Sequence, residues 1–181
     1  MQFYNWFLAY SNFLKNNRSI FFSAVKRVAI GQYNDPAVLK SKVQDLDDTF
    51  VGGLTGTQEA LELAQRMFSE PKARPGVNDV LVVITDGMPT QALNPNLIGV
   101  ADQLKNNGVT IVTIAIGEAP GVSLLEMVSA PIEENYFNIT SFDGLSANTA
   151  SIGKAIAICP NCPAPIGADS IQILPLFHKK T

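Results

Sequence analysis

Histidine is almost missing from the 181 residues: His178 is the sole one. That scarcity excludes the zinc helix H-E-x-x-H, and the one histidine is remote from Asp86 in sequence. A G-x-S-x-G elbow is absent as well, and Ser123 follows an apolar run with no base in its surroundings. The chain therefore reads as a non-enzyme. Basic charge is equally scarce, with 13 Lys and Arg against 16 Asp and Glu and a net charge of −3. No cationic surplus exists to displace counterions from a phosphate backbone, and no aromatic–basic interleaving suggests base stacking. Nucleic acid is excluded as a partner. No apolar run approaches the roughly 20 residues that cross a bilayer, so membrane insertion is not expected. The opening MQFYNWFLAYSNFLKNN lacks the basic segment and small-residue cleavage site of a secretory signal. Cysteine occurs twice, as Cys159 and Cys162 in CPNC. With His178 they make too small a set for zinc. They also follow a predicted helix and are interrupted by Pro160 and Pro163, unlike a redox pair. Their candidate role is a local disulfide, or pairing with cysteines outside this chain.

What the sequence does contain is alternation of apolar strands and amphipathic helices. Phe3, Phe7, Tyr10 and Phe13 or Leu14 recur at helical spacing and predict an amphipathic helix packed on a core. VKRVAIGQY (25–33) reads as a strand, and residues 37–42 as a short edge strand. In VGGLTGTQEALELAQRMF, Gly52, Gly53 and Gly56 loosen a loop, and Thr55 with Gln58 has capping-box spacing. Ala60, Leu61, Ala64, Met67 and Phe68 then share one helical face. VLVVIT and GVTIVTIAIG are near-continuous apolar runs, the pattern of parallel strands covered on both faces. Between them Leu97, Ile98, Ala101 and Leu104 stripe a helix that ends at Asn107-Gly108. A short helix over 123–130 and a short strand over 136–139 follow. Ser141 or Asp143 caps a last helix whose Leu145, Ile152, Ala155 and Ile156 face inward.

This order specifies an α/β fold: a doubly wound, mostly parallel sheet with helices on both faces, a three-layer sandwich of Rossmann-like build. It occupies residues 1–158, and residues 159–181 form a tail containing Cys, Pro and Gly. Such sheets bind ligands in loops along the carboxyl edge of the strands, which puts Thr55 and Asp86 on one rim. Each also has a local explanation, Thr55 as a helix cap and Asp86 as a turn residue before Gly87.

GGLTGTQEAL, VLVVITDGMPT, GVTIVTIAIG and the closing FDGLSANTASIGKAI together resemble the von Willebrand factor A domain family. The resemblance implies a protein-binding or adhesion module whose upper edge carries a metal-ion-dependent adhesion site. It makes Thr55 and Asp86 the Mg²⁺ ligands, and Thr57, Met88 and Gln91 companions on the partner-binding rim. The family's D-x-S-x-S loop and the central strand before it are not recognisable here. The expectation is therefore an incomplete or degenerate site, in which Mg²⁺ is held poorly by this chain alone. An acidic side chain from a protein ligand could complete the coordination. A missing central strand would leave buried ladders unpaired at about 1 to 3 kcal/mol per polar group. Either the flanking strands pair directly, or another segment fills the slot, SIQILPLF (170–177) being the spare candidate, or the chain is a fragment. Glu118 and Asp143 follow later strands, with no spacing that directs them to the same point. Asn17-Arg18-Ser19 and Asn138-Ile139-Thr140 are candidate glycosylation sites. They agree with the extracellular or secreted setting that the resemblance implies for a longer parent protein. The alternatives are a metal-independent interaction scaffold and, behind it, a small hydrolase-like α/β enzyme.

Overall fold

The computed structural model describes residues 5–9, 11–16, 19–24, 35, 37–38, 41–42, 55–70, 79–85, 88–117 and 121–156. In chain order the elements are β1 (Asn5–Ala9), β2 (Ser11–Asn16), β3 (Ser19–Ala24), α1 (Thr57–Phe68) and β4 (Asp79–Thr85). They continue with α2 (Leu97–Asn106), β5 (Thr110–Ile116), α3 (Val122–Met127) and α4 (Ile132–Asn135). The last are β6 (Tyr136–Ile139), α5 (Phe142–Ala147) and α6 (Thr149–Ile156). The principal sheet has the order β1-β4-β5-β6, every neighbouring pair parallel, while β2 and β3 form a separate antiparallel pair.

Strand alternation distributes the core to both faces of this sheet. Leu81 and Val83 of β4, with Ile111 and Ala115 of β5, meet Ala60, Leu61, Ala64 and Met67 of α1 and Leu97, Ala101 and Leu104 of α2. Val80, Val82, Val112, Ile114 and Ile116 face the other way, against Leu145, Ile152 and Ile156. Both faces are dry, which is why β4 and β5 read as unbroken apolar runs. The doubly wound α/β expectation holds.

Two early segments differ from the sequence expectation. The amphipathic helix anticipated around Phe3 to Leu14 is instead a strand, β1, followed by β2. Trp6, Phe7, Leu8 and Ala9 form an apolar run too short to separate the helical from the extended period, and aromatic content favours the strand. β1 lies in register beside β4, from Asn5 opposite Asp79 to Ala9 opposite Val83. That ladder answers the closure problem: a segment from the N-terminal region fills the place next to β4. The spare run at 170–177 and the strand expected at 25–33 lie outside the described residues. The short edge strand expected over 37–42 is not found; residues 37, 38, 41 and 42 are helical. Asp35 explains it, because its carboxylate accepts the Ala37 N–H at 2.8 Å, the bond by which an Asp side chain starts a helix.

The later elements match their sequence signals closely. α2 ends in a Schellman motif: the Gly108 N–H donates to the Lys105 carbonyl at 3.0 Å and the Val109 N–H to Leu104 at 3.1 Å. Gly108 has φ +86°, the left-handed conformation that glycine adopts without strain. The expected last helix is two helices, α5 and α6, parted at Asn148, whose amide donates back to the Gly144 carbonyl at 2.9 Å.

Candidate functional site

The helix α1 starts without a cap of its own, since its N-cap residue is Gly56. A helix start leaves N–H groups without intrahelical partners, and the Thr55–Gln58 spacing suggested that Thr55 would satisfy one. The structure uses a distant residue instead. The Gln58 backbone N–H donates to Asn94 Oδ1 at 2.6 Å, from 36 positions away in sequence. The favour is returned at α2, whose N-cap is Asn96: the Asn96 backbone N–H donates to Gln58 Oε1 at 2.7 Å. Gln58 Nε2 meanwhile donates to Glu62 Oε1 at 2.8 Å, one turn on in α1, which fixes the orientation of the Gln58 amide. The two helices therefore cap one another.

The same junction binds the loop before α1 to the segment that leaves β4. The Thr55 N–H donates to Thr90 Oγ1 at 3.0 Å, and the Thr90 N–H donates to the Thr55 carbonyl at 3.0 Å. Asn94 Nδ2 donates to the Thr55 carbonyl at 2.8 Å and to the Thr90 carbonyl at 2.7 Å. Asn94 is 9% exposed, so water competes little for these bonds. Every bond made by Thr55 here is through its backbone or to its backbone. Among the described residues the Thr55 hydroxyl takes part in no hydrogen bond, and the local capping explanation for this side chain is thereby removed.

Other predicted residues fall at varied places. Met88 is 46% exposed and its sulfur accepts the Gly121 N–H at 3.0 Å. Its methyl group lies where a Cβ on Gly121 would stand, so glycine at 121 permits this close approach. Val122, the next residue, is 68% exposed; Met88 and Val122 are thus two exposed apolar residues, one bonded to Gly121 and the other following it in the chain, a feature the sequence reading missed. Gln91 is exposed at the start of a short 3₁₀ turn, Gln91–Leu93. Thr57 is buried in the first turn of α1 and offers a partner almost no surface. Asn138 is exposed on β6, at one end of the described strand order. Asp143 belongs to α5. Asp86, Glu118, Asn17, Cys159, Cys162 and His178 lie outside the described residues.

Thr90, Asn94 and Asn96 were also absent from the sequence reading. Their bonds reach back more than 30 positions, and no periodic pattern signals such a pairing.

The donor set bears on metal binding. Hard divalent ions favour carboxylate and other oxygen donors. Among the described residues no group of three or more His, Cys, Asp or Glu side chains could hold an ion. The residues that follow β1 are Tyr10, Ser11 and Asn12, with β2 already begun at Ser11; none is a carboxylate. These residues do not fit a complete ion site.

Known proteins are similar to this chain in sequence and fold. The sequence model of the von Willebrand factor type A domain matches residues 20–150. The human collagen alpha-6(VI) chain is 29% identical over 138 residues, 75% of this chain and 6% of that protein. Human matrilin-1 is 24% identical over 129 residues, covering 71% of this chain and 25% of its own length. The chain thus spans a small part of the curated relatives it matches. Among solved structures, proximal thread matrix protein 1 of the mussel byssus, with a zinc-occupied MIDAS motif, superposes with a TM-score of 0.60 at 26% identity. That match covers 81% of this chain and 33% of the mussel protein.

Proposed function

Because this chain belongs to the von Willebrand factor type A domain family, we propose that it is a protein-interaction module that engages its partner along the rim around Thr55, Met88 and Gln91. The observation that carries this reading is the junction of Thr55 with Thr90. It brings the loop before α1 against the segment leaving β4 and leaves the Thr55 hydroxyl out of the bonding among the described residues. Asp86 belongs to the same rim in this reading, four positions before Thr90. Contact is chiefly metal-independent, since the residues after β1 supply no carboxylate and Thr55 with Asp86 would offer an ion only two protein groups. The likeness to a collagen chain and to matrilins supports an extracellular setting for the parent protein. In that setting exposed Asn138 on β6 is the glycan acceptor.

The test is site-specific photo-crosslinking in a matrix protein extract, with the photoreactive group at position 91 or, as a control, at exposed Lys154 on α6. Expected is a discrete crosslinked partner from position 91 alone, competed by unlabelled chain and persisting in EDTA. Equal crosslinking from both positions would remove the rim from consideration. Loss in EDTA would restore an ion-bridged mode.

A further inference from the structure

We propose that Asn94 is the positioning residue of this rim, and that with Gln58 it locks α1, α2 and the two rim segments into one preformed unit. The inference rests on the rim reading above and adds to it how the rim is kept in shape. Asn94 is suited to this because a carboxamide is at once donor and acceptor. Its oxygen holds the Gln58 N–H at the start of α1. Its nitrogen holds the Thr55 and Thr90 carbonyls, one on each segment. A hydroxyl could not span three such groups, and a carboxylate could not donate to two carbonyls. Gln58 completes the lock by engaging the Asn96 N–H at the start of α2.

One consequence follows for binding: a partner meets a surface whose loops are already ordered, so less conformational entropy is lost on association.

Replacing Asn94 by Asp separates the two halves of the lock. The carboxylate still accepts the Gln58 N–H, but at neutral pH it faces two carbonyl oxygens with no proton to offer. Protonation at lower pH restores one donor. The measurement is residue-resolved amide exchange by NMR on the full chain, expressed as protection relative to each amide's intrinsic rate. In Asn94→Asp at pH 7, protection of Thr55 and Thr90 should fall at least tenfold while Gln58 stays protected, and Thr55 and Thr90 should recover as the pH is lowered. In Asn94→Ala all three should fall together, with Val82 and Val112 in the sheet unchanged. Gln58→Ala should release Asn96 and spare its own amide at position 58.

Unchanged protection at Thr55 and Thr90 in both Asn94 variants would overturn the proposal. So would an equal, pH-independent loss at all three amides in Asn94→Asp, because Asn94 would then merely fill space. These readouts need no partner. Absent rim crosslinking with the exchange pattern intact would sink the binding reading alone, and the reverse result would sink the lock alone.

Discussion

Gln58 and Asn94 exchange side-chain and backbone groups across two helix starts: the Gln58 N–H meets Asn94 Oδ1 at 2.6 Å, and the Gln58 carboxamide meets the Asn96 N–H two residues further on at 2.7 Å. A capping box normally lies within one helix. Here it is split between two helices, which turns a local device into a tertiary one. Gly56 and Asn96 are left with no side-chain capping bond of their own.

Removing the Asn94 side chain should therefore cost more than removing an ordinary cap. Asn94→Ala strips the Gln58 N–H of its partner in a part-buried place and removes one of the two bonds that the Thr55 and Thr90 carbonyls each accept, which weakens the hold on both segments without orphaning either carbonyl. One orphaned donor at about 1 to 3 kcal/mol plus two lost bonds at about 0.5 to 1.5 kcal/mol each gives about 2 to 6 kcal/mol. Urea unfolding should show a lower midpoint with an unchanged slope. The control is Ser69→Ala, which removes an exposed bond to Gln65 and should stay within about 0.5 kcal/mol. Equal midpoints for the two variants would contradict the cap assignment.

The contrast between what sequence reveals and what it hides is visible in these same residues. Val80 to Ile84 and Ile111 to Ile116 announce their strands because both faces of a parallel sheet demand apolar side chains, and the demand is written continuously. Leu97, Ala101 and Leu104 announce α2 by their period. The N-terminal Trp6 to Ala9 run satisfies either period, and only its ladder with β4 decides the matter. Asn94 shows nothing in advance: it reads as a loop residue between Leu93 and Pro95. Its value comes from groups 36 to 39 positions away. The local rule assigned the cap to Thr55, and a tertiary bond supplanted it.

Thr113 gives a prediction of opposite sign. It is fully buried in β5, and its hydroxyl has no hydrogen-bond partner among the described residues. A buried unpartnered hydroxyl is a desolvation cost without compensation. Thr113→Val keeps the shape and replaces that hydroxyl by a methyl, so stability should rise by about 1 kcal/mol. For a chain of this size the melting temperature should increase by roughly 2 to 4 °C. A fall in melting temperature would mean that the hydroxyl is bonded after all.

Tyr136 lies beside Thr113 in the β5–β6 ladder, and its hydroxyl too is buried and unpartnered among the described residues. Burial raises its pKa above the ordinary phenol value of 10.0, because the phenolate would be formed out of water. The unfolded chain loses this proton first as pH rises. Stability is therefore unaffected by this group below about pH 10 and declines through the interval up to the raised folded value. Tyr136→Phe should abolish that alkaline component and, by the same desolvation argument as for Thr113, raise neutral-pH stability by about 1 kcal/mol. Urea midpoints at pH 8 and above pH 10 test it; an identical alkaline decline in the variant would assign the decline to another group.

Thr55 separates function from architecture most cleanly. Its N–H and carbonyl are tied to Thr90 and Asn94, and those bonds survive any side-chain change that leaves the backbone in place. The hydroxyl carries none of them. Thr55→Ala should thus leave stability within about 0.5 kcal/mol, the usual range for a site without a structural role. It should leave amide protection at Thr90 and Gln58 intact as well. Crosslinking from position 91 should nevertheless weaken, since the proposed rim uses this hydroxyl for partner contact. Thr90→Ala makes the reciprocal case, since it deletes the acceptor of the Thr55 N–H and should loosen the loop before it affects any partner. A Thr55→Ala variant destabilised by more than about 1 kcal/mol would show that the hydroxyl serves the fold, and the surface proposed for partner contact would lose its central side chain.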